Sequence, residues 1–239
     1  MAQAKKEARP IDGVFVLIHS PLVGPFTWSR VAENLKQHGH VAVMPALTGD
    51  DEQAHVPYWQ QEVEAIRGQL ETVPPNRPLI LVGHSGAGAL LPALRATIPH
   101  QVGGYVFVDA GLPHPGQTRL DEMRASVPEL AEELHRHLVV GGRFPDWTDE
   151  DLREEVPDDR TRAALLADLQ PRALDFFEEP LPPVAGWPDA PCSCIQTSAG
   201  YAGAAETARR AGWPVQVFAA GHFYMLVDPE AVAQALLAA

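Results

Sequence analysis

Leu79-Ile80-Leu81-Val82-Gly83-His84-Ser85-Gly86-Ala87-Gly88 is the stretch on which the reading of this chain depends. The apolar run Leu79 to Val82 suits a strand buried on both faces, and it stops at Gly-x-Ser-x-Gly. Ala89-Leu90-Leu91 then continues in a helical pattern that Pro99 closes. A strand-to-helix turn this tight strains the serine backbone and leaves no room for neighbouring side chains, hence glycine at 83, 86 and 88. It lifts the Ser85 hydroxyl above the sheet edge, at a helix N-terminus where free N–H groups meet a developing oxyanion. Ser85 is thereby a candidate nucleophile, against the alternative of a structural Gly-rich strand exit.

The flanking sequence repeats the strand-helix alternation. Val14 to Ile18 is a β-branched apolar strand, followed by the loop His19 to Pro25 and a helical pattern from Trp28 to Gln37. His40 to Met44 reads as a strand, Pro45 to Val56 as a loop holding Asp50, Asp51 and Glu52, and Pro57 to Val73 as an amphipathic helix. Gly103 to Val108 is a further strand, ending at Asp109. Leu112 to Pro188 lacks strand patterning, and its prolines divide it into short helical pieces, which predicts a helical cap inserted over the site. Pro191 to Thr197 and Val215 to Ala219 are the last strands, with helices at Ala202 to Ala211 and Pro229 to Leu237. The pattern predicts one α/β domain over residues 1–239, with a mostly parallel sheet of about six strands and helices on both faces. Ligands in such sheets bind beyond the carboxyl ends of the strands, where Ser85, Asp109, His222 and the His19 loop all fall.

The net charge of −13 argues against a nucleic-acid partner or an anionic membrane surface, both of which select basic patches. A small-molecule substrate is the expected partner, with a homodimer left open. Met1 to Pro10 lacks the apolar core of a signal peptide, so the expected location is cytoplasmic. Cys192 and Cys194, two apart on one strand, cannot easily close a disulfide and read as buried reduced thiols. No further ligand is spaced to make them a metal site.

Three features together, Val16-Leu17-Ile18-His19-Ser20 with Trp28, the elbow Gly83 to Gly88, and Ala219-Ala220-Gly221-His222-Phe223, resemble the α/β-hydrolase superfamily over nearly the whole chain. The layout is similar to the branch of plant esterases and hydroxynitrile lyases. The resemblance implies Ser85 as nucleophile and His222 as general base, the imidazole taking the serine proton. For the acid, the usual strand end at Thr197 carries no carboxylate before Glu206. Asp109, a position some members use, is preferred, with Glu206 and Asp189 as alternatives. One oxyanion donor is the Gly86 N–H. The usual second position is Pro21, which has no N–H, so either the Leu22 N–H or the Ser20 hydroxyl must serve.

The implied chemistry is hydrolysis of an ester, lactone or thioester of a small to medium hydrophobic substrate through an acyl-enzyme, with no metal or organic cofactor. A lyase or carbon–carbon hydrolase using the same Ser/His pair is the alternative, although in the resembling branch lyase chemistry also needs a lysine. A non-catalytic ligand receptor is the third reading. His19, Phe223 and Trp187 are candidate pocket residues, Trp147, Phe176 and Phe177 are candidates for the cap, and His84 reads as a packing residue.

Overall fold

Five consecutive residues, Val14–Ile18, form β1, and every one of them is buried. A strand covered on both faces can only be apolar throughout, and this one sits between parallel neighbours. The computed structural model describes residues 13–47, 56–182 and 185–239. After β1 come a 3₁₀ turn (Pro25–Trp28), α1 (Ser29–Gln37), β2 (Val41–Val43), α2 (Tyr58–Leu70) and β3 (Leu79–Ser85). A 3₁₀ turn (Gly86–Leu90) leads into α3 (Leu91–Thr97) and β4 (Val102–Ala110). Among the described residues, four helices follow before the next strand: α4 (Arg119–Ser126), α5 (Pro128–Val139), α6 (Asp159–Ala167) and α7 (Leu174–Glu178). The chain closes with β5 (Cys192–Gln196), α8 (Ala202–Arg210), β6 (Val215–Val217), α9 (Tyr224–Val227) and α10 (Pro229–Leu237).

The sheet has six strands in the order β2-β1-β3-β4-β5-β6, all pairs parallel. Alternate residues build two cores. Val14, Val16 and Ile18 join Leu79, Leu81, Tyr105 and Phe107 under α2, α3 and α8. Phe15 and Leu17 join Val82, Val106 and Val108 on the opposite face, with Leu35 of α1 and Val232 and Leu236 of α10. The chain between β4 and β5 has a smaller core of its own, built on Leu120, Leu134, Leu138, Phe176 and Phe177.

Local chemistry sets several element ends. Ile98 is extended because Pro99 follows it, and α3 stops there. Asp228 caps α10 by accepting from the Ala231 N–H at 3.0 Å, with Pro229 in the first turn. The helix expected directly after the elbow begins instead as a 3₁₀ turn, and α-geometry starts only at Leu91. Cys192 and Cys194 are free and buried, and burial pushes their thiols up to about 12 and about 11. The loop reading of Pro45 to Val56 falls largely on residues 48–55, and the N-terminal reading on 1–12, both outside the described residues. Among the described residues no helix is long and apolar enough to cross a membrane.

Candidate active site

Ser85 ends β3 with φ 56° and ψ −127°, a backbone conformation that a non-glycine residue adopts only when its surroundings enforce it. The enforcement is steric. Gly88 faces the Gly111 carbonyl so closely that a Cβ would collide with it, and a Cβ on Gly83 would stand 3.1 Å from the Gly88 nitrogen. Strand, turn and neighbouring loop therefore pack backbone against backbone, which only glycine permits.

Asp109 is the second strained residue, with φ 43°. Its strain has a topological origin. The β3–β4 register pairs His84 with Val108 and Ser85 with Ala110, so Asp109 is the extra residue of a bulge. The bulge turns a fully buried carboxylate toward the neighbouring strand end and the last loop. Oδ1 accepts the N–H groups of Thr197 and Ser198, each at 2.8 Å, while Oδ2 accepts the Ser198 hydroxyl at 2.6 Å and His222 Nδ1–H at 2.7 Å. Burial alone would raise this carboxyl's pKa, but the bonds from His222 and Ser198 hold it below the ordinary value. The end of β5, which has no carboxylate of its own, thus supplies donors to one carried by β4.

His222 is fixed on several sides. Its backbone N–H donates to Glu155 Oε2 at 2.7 Å, and Gly221 leaves no room there for a Cβ beside that carboxylate. His84 lies against the His222 ring at 4.5 Å between centroids, and Tyr201 stacks nearly parallel on the same imidazole at 5.3 Å and 10°. His84 also donates from Nε2 to the His222 carbonyl at 3.2 Å. Burial and then the neighbouring His222 push the His84 pKa well down, so this ring is a neutral packing partner. Ser85 Oγ shares a 2.9 Å hydrogen bond with the Tyr201 hydroxyl in this state, and none with His222. Catalytic hydrogen bonds of this kind commonly close only with substrate bound.

The remaining candidates separate clearly. Ser20, Pro21, Leu22 and Gly86 line one cavity with Ser85 and His222. The Leu22 N–H is taken up by Ser20 Oγ at 3.3 Å, which leaves the Ser20 hydroxyl proton as the available donor of that loop. The loop is clamped from outside: Arg172 donates to the Pro21 carbonyl at 3.3 Å, the Gln170 N–H to the Leu22 carbonyl at 2.9 Å, and the Phe26 N–H to Asp168 at 3.0 Å. Glu206 lies on the surface beside Arg209, and Asp189 is bound to Arg95 and Tyr105, so neither carboxylate is held against His222. Phe223, Trp147, Phe176 and Phe177 line the cavity.

Two pocket expectations are corrected. His19 is buried beneath the loop, accepting the Leu47 N–H at Nε2 (3.1 Å) and donating from Nδ1 to the Ser20 carbonyl (2.9 Å). It holds the loop's backbone and does not line the cavity. Trp187, half-buried, packs on Tyr105, Phe107 and Trp213 against the edge of the core and is not among the residues lining the cavity. Tyr201, Ser198, Glu155 and Glu122 are functional candidates that sequence reasoning missed. The only signal for Tyr201 and Ser198 was position, just beyond the end of a strand.

The model of the alpha/beta hydrolase family matches residues 15–235. This chain belongs to that family. The carbendazim hydrolyzing esterase of Nocardioides sp. (strain SG-4G) is 25% identical, over 94% of this chain and 98% of that protein. Methylesterase 10 of Arabidopsis thaliana is 30% identical over 48% of this chain and 44% of that protein. The chain spans less than half the length of the plant methylesterases it matches. Among solved structures, an extracellular alpha/beta-hydrolase from a Paenibacillus species has a TM-score of 0.76 at 20% identity, over 95% of this chain and 98% of that one.

Proposed function

We propose that the chain is a serine carboxylesterase whose catalytic group is Ser85, His222 and Asp109. The observation that carries the reading is the bulge at Asp109, which spends backbone strain to place a buried carboxylate 2.7 Å from His222 Nδ1. A carboxylate there fixes the tautomer whose Nε2 accepts a proton and stabilises the imidazolium that follows. The relatives named as esterases support the same reaction class.

In this mechanism Ser85 Oγ attacks the ester carbonyl carbon while its proton passes to His222 Nε2. The carbonyl π bond becomes an oxyanion, received by the Gly86 N–H and the Ser20 hydroxyl. Collapse breaks the bond to the leaving oxygen, which takes the proton from His222 and departs as the alcohol. Water, deprotonated by His222, then attacks the acyl-enzyme by the same route and releases the acid. The cavity of about 640 Å³, walled by Phe144, Trp147, Phe176 and Phe177, suits a small to medium hydrophobic ester. The lyase reading has less support, since no lysine among the described residues lines that cavity.

Covalent labelling by a fluorophosphonate, together with turnover of p-nitrophenyl and methyl esters, tests the proposal. Labelling and turnover both vanish in Ser85→Ala if it holds. Saturable ligand binding without labelling or turnover of any acyl substrate sinks it in favour of a receptor.

A further inference from the structure

The cavity wall above Ser85 is largely apolar, and one carboxyl interrupts it. Glu122, on α4, lines the cavity with Ser85, Tyr201 and His222. Its Oε2 lies against Gly111, where a Cβ would stand 3.0 Å away, and the Gly111 N–H in turn donates to the Ser85 carbonyl at 3.2 Å. The carboxyl therefore borders the segment that braces the nucleophile. Its other oxygen, Oε1, is buried and has no hydrogen-bond partner among the described residues.

Two structural explanations for this carboxyl fail. An acidic residue in the first turn of a helix often serves as a cap, but Thr118 and Asp121 already close a reciprocal capping box at 3.0 and 3.1 Å. A buried carboxylate is usually held by a cation, yet the neighbouring Arg119, whose Nε is unpaired among the described residues, forms no ion pair with Glu122. It binds Glu62 at 3.2 Å and Glu179 at 3.6 Å, and its guanidinium lies 4.0 Å over the Phe176 ring. Burial accordingly pushes the Glu122 carboxyl up to about 7, with Arg119 pulling it down. A buried acceptor left unpaired is a cost that an incoming donor removes. Ligand pockets fix orientation through a few such polar groups set in apolar walls.

We propose that Glu122 is a specificity residue whose free oxygen accepts a hydrogen bond from the substrate. The preferred substrates are then esters whose hydrophobic part carries a hydroxyl or amino group, rather than plain hydrocarbon esters. This rests on the reading of the cavity as an ester-binding site. A plain ester leaves Oε1 unpaired and loses affinity relative to its hydroxylated counterpart.

The probes are methyl 3-phenylpropanoate and its analogues bearing a hydroxyl at the 2-, 3- or para position. In the Ser85→Ala background, which cannot turn them over, titration calorimetry is expected to show one hydroxylated ester binding about tenfold tighter than the plain one. Glu122→Leu brings that ratio close to one, and Glu122→Gln, whose amide oxygen still accepts, keeps part of it. The same ratios are expected in kcat/KM with Ser85 intact. Equal binding of all four esters by Ser85→Ala, or an unchanged ratio in Glu122→Leu, overturns the proposal. Discrimination in binding by a chain that hydrolyses none of the four sustains the subsite while sinking the esterase reading, so the two failures are distinguishable.

Discussion

The Tyr201 hydroxyl stands 2.9 Å from Ser85 Oγ while its ring lies parallel on the imidazole of His222. Burial raises the phenol's pKa, so it remains a protonated donor at working pH. In the proposed mechanism, its contact with both Ser85 and His222 puts it beside the oxygen that leaves when the tetrahedral intermediate collapses. Tyr201→Phe is therefore expected to lower kcat about tenfold on methyl esters and less than threefold on p-nitrophenyl esters, whose leaving oxygen needs little help. Equal losses on both would remove the leaving-group role.

The four hydrogen bonds on Asp109 make a second prediction sharp. Asp109→Asn keeps the shape but puts a donating amide NH2 where one carboxylate oxygen accepts, favouring the wrong tautomer of His222, and is expected to lower kcat by roughly 10⁴. Glu206→Gln and Asp189→Asn are expected to stay within about twofold of the parent, because those carboxylates engage Arg209 and Arg95. Steady-state kinetics on one ester decides this, and a collapse in Glu206→Gln would refute the assignment of the acid.

The sheet was legible because buried parallel strands must be continuous apolar runs, and α10 matched Pro229 to Leu237 because Asp228 and Pro229 mark its start chemically. Ser85 was legible for a related reason: its strain demands glycines at fixed offsets. The Asp109 carboxylate was harder to place, since its aim depends on a bulge at one residue, which strand periodicity does not encode. His19 failed as a pocket residue because a strand end locates a backbone without saying where its side chain points. Glu155, Glu122 and Tyr201 come from segments with no repeating pattern, and only tertiary packing brings them to the site.

Pro21 removes a main-chain donor from the loop that faces Gly86, and Ser20 Oγ already accepts the Leu22 N–H. In the proposed mechanism the Ser20 hydroxyl is the donor that replaces it. Ser20→Ala is expected to lower kcat by roughly 10²–10³, the range for losing one oxyanion-hole donor, with little change in KM. Ser20→Thr, which keeps the hydroxyl, should recover most of that loss. A rise in KM alone would mark Ser20 as a binding residue instead.

Glu155 accepts the His222 backbone N–H at 2.7 Å, beside a glycine where an added Cβ would push that carboxylate aside. Glu155→Ala is expected to reduce kcat about tenfold without a matching change in KM, while Glu155→Gln, still an acceptor, remains near the parent. Gly221→Ala should reproduce the Glu155→Ala defect, because the added methyl displaces the same carboxylate. Should Gly221→Ala behave as the parent, the contact is dispensable.

The raised carboxyl of Glu122 also predicts how stability depends on pH. Its pKa in the folded chain is about 7, against about 4.3 for an unfolded glutamate. Between these values the folded state binds the proton more tightly, so this group's contribution is complete below about pH 4 and is lost as pH rises through 7. Glu122→Gln abolishes the titration. The unfolding free energy of the variant relative to the parent is therefore expected to increase between pH 5 and pH 8, by roughly 1–3 kcal/mol. Glu62, also raised to about 7 by burial, contributes to both proteins and cancels in the difference. His19 and His84, lowered by burial, act in the opposite direction and cancel likewise. Urea denaturation of parent and variant across that range measures the difference, and parallel curves would mean that Glu122 is solvated and ordinary in the folded chain.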